Sequence, residues 1–400
     1  MDLKSDYPFW PIKNGLMYTY PTLQQDITCD VVVIGGGITG ALVAYHLVEA
    51  GIDTVVVDKR HIAWGSTSAT TALLQYEIDT PLCELIELVG EDHAVRSYQA
   101  CLDALEKIAA LVGKLDDQCG FKPRPSLYLA SYKSHVPELK REYETRKKYG
   151  IQLEWLDQAQ IEDLYNFSRP AALFSQAGAE VDAYQLTHRL LQTGLRNGLR
   201  VFDRNEVTKI EHSPRRVCVT TASGTTIRAR QLVFASGYES QKYLSKPVAK
   251  LVSTYALVSE PLPNDCNWYE HSLIWESARP YLYLRITDDN RVIVGGEDED
   301  FRDPQRRDKL IPQKTARLRQ KFEKLFPKLK MEVAFAWAGT FGETKDGLAY
   351  VDKSPDMPHA WFALGYGGNG ITYSILAAEI IRDAILNRPN PYQDLFRFGR

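Results

Sequence analysis

Cysteine is sparse and scattered in this chain. The six residues, Cys29, Cys83, Cys101, Cys119, Cys218 and Cys266, form no Cys-x-x-Cys pair. Neither a disulfide framework nor a zinc site is therefore expected, and the usage suits a reducing compartment. No run of about eighteen apolar residues is available to span a membrane. The first ten residues, Met1–Trp10, lack the charged start and apolar stretch of a secretory signal, so a cytoplasmic protein is the expectation. Neither sign of charge dominates: 48 basic residues face 51 acidic ones, for a net charge of −3. That balance argues against a nucleic-acid partner, whose phosphates demand a basic excess. No internal repeat or low-complexity tract is evident. What remains is an ordinary soluble globular composition, 44% apolar and 25% charged, with a mean hydropathy of −0.30. At 400 residues the chain exceeds what one hydrophobic core usually holds, and two interlocked domains are expected.

The clearest motif starts at Asp30. The β-branched run Val31–Ile34 reads as a buried parallel strand and leads directly into Gly35-Gly36-Gly37-Ile38-Thr39-Gly40. A helical stretch follows to Ala50, closed by Gly51, and a second apolar strand, Thr54–Val57, ends on Asp58. Each part has a physical task. Gly35 permits the tight turn, Gly37 lets a pyrophosphate approach the backbone, and Gly40 lets helix and strand pack closely. The helix start offers unpaired N–H groups and a partial positive charge to phosphates. Asp58 can accept hydrogen bonds from ribose hydroxyls, which favours FAD or NAD over NADP. A Gly-x-Gly-x-x-Gly alone is weak evidence; here it has the strand, helix, second strand and acid that the motif requires.

Two distant segments choose between the dinucleotides. Gln231–Gly237 is an apolar strand ending in small residues, preceded by a hairpin whose arms are Val217–Thr221 and Thr226–Arg230. Near the other end, Trp361–Leu364 runs into Gly365-Tyr366-Gly367-Gly368-Asn369-Gly370 and a long helical stretch to Leu386. This second strand–glycine–helix unit lies too near the C-terminus to found another full nucleotide domain. It is expected instead to aim a helix N-terminus at the far end of the same cofactor, where its dipole would stabilise an anionic reduced flavin.

With these residues in place, the chain resembles the FAD-dependent amine and amino-acid oxidoreductases that include D-amino acid oxidase, glycine oxidase and sarcosine oxidase. The resemblance runs from Asp30 to Arg400. It rests on Gly35–Gly40 with Asp58, Trp64–Ser68, Ala179–Ala183, Leu232–Gly237, and Thr344–Gly347 followed by Gly365–Gly370. It implies an α/β fold: a Rossmann-like FAD-binding domain (residues 1–82, 172–240 and 338–400) with an inserted, discontinuous α+β substrate domain (residues 83–171 and 241–337). It also implies non-covalent FAD. The holding residues would be Gly35, Gly37, Ile38, Thr39, Gly40, Asp58, Lys59, Ser66, Thr67, Val207, Ser236, Gly237, Gly339, Gly367, Gly368, Asn369, Gly370 and Ile371. No cysteine between Gly339 and Gly370 is available to attach a flavin through sulfur, and His61 reads as an exposed loop residue.

The resemblance implies oxidation of a CH–NH bond by hydride transfer to flavin N5, giving an imine that hydrolyses. Arg285, at the end of the Tyr281–Arg285 strand, is the candidate for a substrate carboxylate, a task suited to a guanidinium fork; a salt bridge at a strand end is the alternative. Tyr281 and Tyr283 share one face and either line the site or pack in the core. Departures from the family pattern are informative. Phe341 stands where glycine oxidase-like members carry a second arginine, and Ile293 where sarcosine oxidase-like members carry a lysine that promotes reaction with oxygen. Ala69–Ala72 replaces an Arg-Asn-Gly-Gly loop. The Thr-Thr-Ala variant resembles a bacterial subgroup often fused to a Rieske domain, whose paired Cys and His ligands are missing here.

Two other functions stay open: a flavin dehydrogenase of a 2-hydroxy acid or polyol, since fold does not fix function, and a catalytically silent flavin-binding partner protein. The electron acceptor is either dioxygen or a carrier. Glu343 and Lys345 are read as an ion pair or a proton-tuning couple, and Asp346–Gly347 as a turn. The charged run Lys140–Lys148 is expected to be a solvated helix face. Leu318, Phe322 and Leu325 mark an amphipathic helix ending before Pro327, which covers a sheet or lies on a membrane surface.

Overall fold

The computed structural model describes every residue except 6, 264–267 and 355; Cys266 therefore lies outside the described residues. Three sheets organise the described residues. The first has the Ile27–Ile34 strand at its centre, parallel to Thr54–Val57 on one side and to Thr226–Phe234 on the other. Arg200–Phe202 and Ala360–Leu364 extend it in parallel. Antiparallel strands complete it, Val207–His212 and Val217–Thr221 on one flank and Tyr350–Lys353 beside Ala360–Leu364. The expected hairpin arm and the Gln231 strand are one continuous strand.

Strand periodicity explains how both faces of this sheet are buried. Val31 and Val33 face one cluster, packed with the helices Ile38–Glu49, Ala183–Arg196 and Gly370–Ile385. Val32 and Ile34 face another, closed by Val217, Val219, Ile227 and Phe362. At about 1.5–3 kcal/mol per fully buried Val or Ile side chain, upper estimates against an extended chain, this β-branched core anchors the glycine loops at its strand ends.

The second sheet runs in the order Val333–Glu343, Lys250–Ser259, Val292–Glu299, Leu282–Ile286, Leu273–Glu276, Ser126–Leu129, Ala171–Ser175, Glu154–Asp157. All its pairings are antiparallel except that of Leu273–Glu276 with Ser126–Leu129. The helix Ile311–Leu325 buries Leu318, Phe322 and Leu325 against one face of it, in a cluster with Leu257, Leu284 and Val294. Its apolar stripe is thus used in covering the sheet. A small third sheet joins Leu73–Gln75, Gly178–Glu180 and Lys122–Pro123.

Ala171–Ser175 and Val333–Glu343 both pair into the second sheet, and the long helix Glu91–Val112 packs its buried face into the same core as Gly370–Ile385. Strand pairing between distant segments, which motif spacing does not reveal, makes these contacts.

The helix Val136–Lys148 is also less solvated than its composition suggests, because Leu139, Glu142 and Arg146 are buried. Arg146 Nε donates to Glu142 Oε1 at 2.6 Å. Glu142 in turn accepts the backbone N–H groups of Leu82 and Cys83, each at 2.8 Å, and so places an anion on the first turn of Leu82–Val89. This corrects the expected solvated face: Glu142 and Arg146 face inward because they pair with each other and with groups on other elements. No helix of the described residues is long and apolar enough to cross a membrane.

Candidate active site

One large cleft opens between the first and second sheets, with about 2080 Å³ of space free of atoms, including its open mouth. The Gly35–Gly40 loop forms one end. Gly35 has φ +114, and a Cβ there would meet the Ala235 carbonyl carbon at 2.7 Å. A Cβ on Gly40 would run into the Gly35 carbonyl oxygen, so Gly40 serves packing and does not itself line the cleft. Thr67 Oγ1 accepts the Ile38 N–H at 2.9 Å and lies 2.9 Å from where a Gly37 Cβ would be. Only glycine leaves room at that helix start.

Asp58 closes the same end. Its Oδ2 accepts the Gly36 N–H and its Oδ1 the Arg60 N–H, both at 2.7 Å. Burial raises its pKa, with the two backbone N–H groups opposing. Beside it, Glu239 receives Lys59, Arg60 and the Met1 amino group at 2.8, 3.1 and 2.8 Å. Burial alone would raise the Glu239 pKa; these cations outweigh burial and bring it to about 2.

The far end is the start of the helix Gly370–Ile385. Gly365 and Gly367 have φ +79 and +53, values an L side chain rarely adopts. Asn369 Nδ2 donates to the carbonyls of Gln75 and Glu77 at 3.1 and 2.8 Å, tying the Leu73–Gln75 strand to the helix start. The Gly368 N–H donates to Asp79 Oδ2 at 2.8 Å. Two helix N-termini, at Gly37 and Asn369, thus face one cleft.

Of the residues singled out from sequence, Gly35, Gly37, Ile38, Thr39, Asp58, Lys59, Ser66, Thr67, Val207, Ser236, Gly237, Gly339, Gly367, Gly368, Asn369, Gly370 and Ile371 line this cleft, as do Tyr281 and Tyr283. The two tyrosine rings lie 5.4 Å apart. Tyr283 crosses the opposite strand at Gly295, where a Cβ would press on its hydroxyl end. Trp275 and Phe341 complete an aromatic wall.

Arg285 lies elsewhere. It is 2% exposed and absent from the cleft wall. Its Nη1 donates to Glu180 Oε2 at 2.9 Å, its Nε to the Thr71 carbonyl at 2.8 Å and its Nη2 to the Val181 carbonyl at 3.4 Å. Glu180 also receives Arg124 at 2.9 Å. With three of its N–H groups engaged and its side chain buried away from the cleft, it braces the Thr71 loop from behind. His61 pairs with Asp203 at 3.1 Å and is half-buried. Asp346 pairs with Arg400, whose Nε lies 2.9 Å from Oδ2.

Sequence reasoning missed the acidic side of the cleft. Glu77 and Asp79 line it, and burial raises the pKa of both. Glu77 Oε2 is buried with no hydrogen-bond partner. Just outside, Asp298 is pushed up to about 6 by burial, with Glu343 and Asp79 adding to the rise. No local motif marks these residues; their proximity follows from the pairing of distant strands.

The residues present fit FAD. The cleft offers a glycine cradle that side chains would fill, a half-buried acid for a ribose, and a second helix start at the far end. Its lining also includes a buried Ser66 Oγ and Thr254 Oγ1 with no hydrogen-bond partner. Comparison with known proteins agrees. The family described as FAD dependent oxidoreductase matches residues 30–384. The chain is 27% identical over 390 residues to gamma-glutamylputrescine oxidoreductase of Escherichia coli strain K12, covering 92% of this chain and 85% of that protein. It is 26% identical over 371 residues to glycine oxidase of Bacillus licheniformis, covering 90% and 94%. The crystal structure of glycine oxidase from Geobacillus kaustophilus shares the fold, with a TM-score of 0.77 at 19% identity over 93% of this chain and 99% of that one. The protein is a member of the DAO family of FAD-dependent oxidoreductases.

Proposed function

We propose that this oxidoreductase acts on the CH–NH bond of an amine or amino acid and releases an imine that hydrolyses to a carbonyl compound. The observation that carries this reading is the polarity of the cleft. Glu77 and Asp79 line it next to Tyr281, Tyr283, Trp275 and Phe341. Carboxylates and aromatic faces together attract an ammonium group, which a 2-hydroxy acid lacks.

Bound FAD supplies the two-electron acceptor; the chain supplies binding, orientation and proton handling. Gly35, Gly37 and Ile38 would hold the pyrophosphate, Asp58 the ribose, and Gly367–Ile371 the far end. An ammonium group must lose a proton before its nitrogen lone pair can assist C–H cleavage. A carboxylate whose pKa is raised by burial suits that transfer. Glu77, with a buried and unpartnered oxygen, is positioned for it. The aromatic wall excludes water from the reacting carbon and orients its substituents.

A cytoplasmic setting is supported by the free state of the five described cysteines. The electron acceptor is dioxygen or a carrier, and the rate of flavin reoxidation in air-saturated buffer distinguishes them. The test of the function is an anaerobic titration of the yellow protein with a panel of amines, amino acids and hydroxy acids. Bleaching of the flavin by amines supports the reading. Bleaching only by hydroxy acids, or by nothing in the panel, rejects it in favour of a hydroxy-acid dehydrogenase or a silent flavin protein respectively.

A further inference from the structure

The residues ahead of the Ile27–Ile34 strand lie outside the family match, which begins at residue 30. The first five of them run along the outer edge of the second sheet. Val333–Glu343 is an edge strand of that sheet, and Lys4 bridges Gly339 in antiparallel fashion. The Thr340 N–H donates to the Leu3 carbonyl at 2.8 Å, and the Ser5 N–H to the Ala338 carbonyl at 3.0 Å. The Ala338 N–H donates to Ser5 Oγ at 3.0 Å. Arg307, fully buried, donates from Nη2 to Asp2 Oδ1 at 3.3 Å and from Nη1 to Thr340 Oγ1 at 3.2 Å.

Covering a sheet edge requires no more than this pairing. The segment goes further in two respects. On the N-terminal side of Leu3 it leaves the second sheet and reaches the nucleotide end of the cleft. There the Met1 amino group lies 2.8 Å from Glu239 Oε1, and Arg60 Nη2 donates to the Met1 carbonyl at 2.5 Å. Arg60 and Glu239 both line the cleft. Between these two anchorages the Leu3 side chain, 5% exposed, forms part of the cleft wall together with Gly65, Ala69 and Gly339. Residues 1–5 thus tie the second sheet to the Asp58 end of the first, with one apolar side chain turned toward the cofactor space.

We infer that residues 1–5 are a further part of the FAD site: a clasp in which Leu3 makes an apolar contact with the bound cofactor, and whose undocking limits FAD release. Release then requires the Met1–Glu239 ion pair and the backbone pairing of Leu3 with Thr340 to open. By linkage, bound FAD holds the clasp docked by the same factor that the clasp adds to FAD affinity.

The test dilutes the FAD-loaded protein and reads release as the rise of free-flavin fluorescence. Burying a leucine side chain accounts for about one to two decades in an equilibrium constant, and Leu3 already packs partly on protein. Leu3→Ser, which keeps the backbone pairing, should therefore release FAD about tenfold faster. Leu3→Met keeps an apolar side chain of similar volume and should stay close to the wild-type rate. A variant lacking residues 2–5 should release FAD at least tenfold faster. An edge cover with no part in the FAD site lowers the urea midpoint of Leu3→Ser and leaves its release rate unaltered; that result overturns the inference.

A second arm compares one protein with itself. Lys4 and Gly339 form a pair flanked by the two backbone hydrogen bonds, the closely spaced kind of antiparallel pair. Lys4→Cys combined with Gly339→Cys therefore allows a disulfide that fixes the clasp. The oxidised, FAD-loaded protein should release FAD at least tenfold more slowly than the same sample after treatment with a thiol reductant. Equal rates before and after reduction overturn the inference. Neither arm uses an amine, so the result is independent of the reaction proposed above.

Discussion

Replacing Arg285 with Met separates a brace from a substrate contact. The wild-type side chain makes a buried ion pair, a buried hydrogen bond to the Val181 carbonyl and a part-buried one to the Thr71 carbonyl. Methionine keeps much of the volume and loses all three. Breaking a buried pair by removing one partner costs about 3–5 kcal/mol, because the remaining charge is stranded. Each buried carbonyl left unsatisfied adds about 1–3 kcal/mol where water does not replace the donor. Arg124 stays 2.9 Å from Glu180 and shares the stranded charge, so a net loss of about 3 kcal/mol is expected. Urea unfolding of the FAD-loaded protein, followed by near-UV circular dichroism, measures it. Replacing Glu180 with Gln in the same background should cost less than the sum of the two single changes, since the partners are coupled. Unaltered stability in Arg285→Met, with binding of carboxylated amines weakened at least tenfold, would refute the assignment of Arg285 as a brace.

Further outcomes follow from the same geometry. Glu239→Gln should cost about 3 kcal/mol at pH 7, the equivalent of the shift to about 2. Because the folded pKa is depressed, the difference between the two proteins is present above pH 4.5 and shrinks as pH falls toward 2, as urea midpoints measured across that range would show. Asp298 behaves oppositely. Its folded pKa is raised to about 6, so protonation stabilises the fold below about pH 4 and the gain is lost as pH rises through 6; Asp298→Asn should remove that slope from the pH dependence of the unfolding midpoint. Glu77→Gln is expected to slow anaerobic flavin reduction by a saturating amine about 10²-fold or more, with the deficit falling as pH rises and more substrate is already neutral. An unaltered rate at pH 7 argues against Glu77 as proton acceptor.

What the sequence discloses and what it hides divide along physical lines. The Val31–Ile34 and Thr54–Val57 strands, the Gly35–Gly40 turn and Asp58 are legible because local rules produce them. β-branched runs make buried strands, and a helix start without side chains admits phosphate. Gly365–Gly370 is legible for the same reason. The substrate side is not. Arg285, at a strand end, is a reasonable partner for an anion. Only the position of Glu180, on a strand more than a hundred residues earlier, decides that it is buried. Glu77 and Asp79 carry no motif, and the Gln75 and Glu77 carbonyls that Asn369 holds set where they face. The inward stripe of Val136–Lys148 is hidden likewise, since an Arg at that spacing looks solvated until Glu142 and Tyr76 are seen around it, with Tyr76 Oη 3.2 Å from its Nη1.

The central claim is that two glycine loops, on separate strands of one sheet, hold the same FAD. The stoichiometry of flavin released by acid from purified protein, with each loop altered in turn, tests it most directly. The account predicts one FAD per chain in the wild type and marked loss in both Gly37→Val, which crowds Thr67, and Gly367→Val, which crowds Asp79 and opposes φ +53. Full retention of FAD by either correctly folded variant, or a wild-type protein that takes up no FAD, would contradict it.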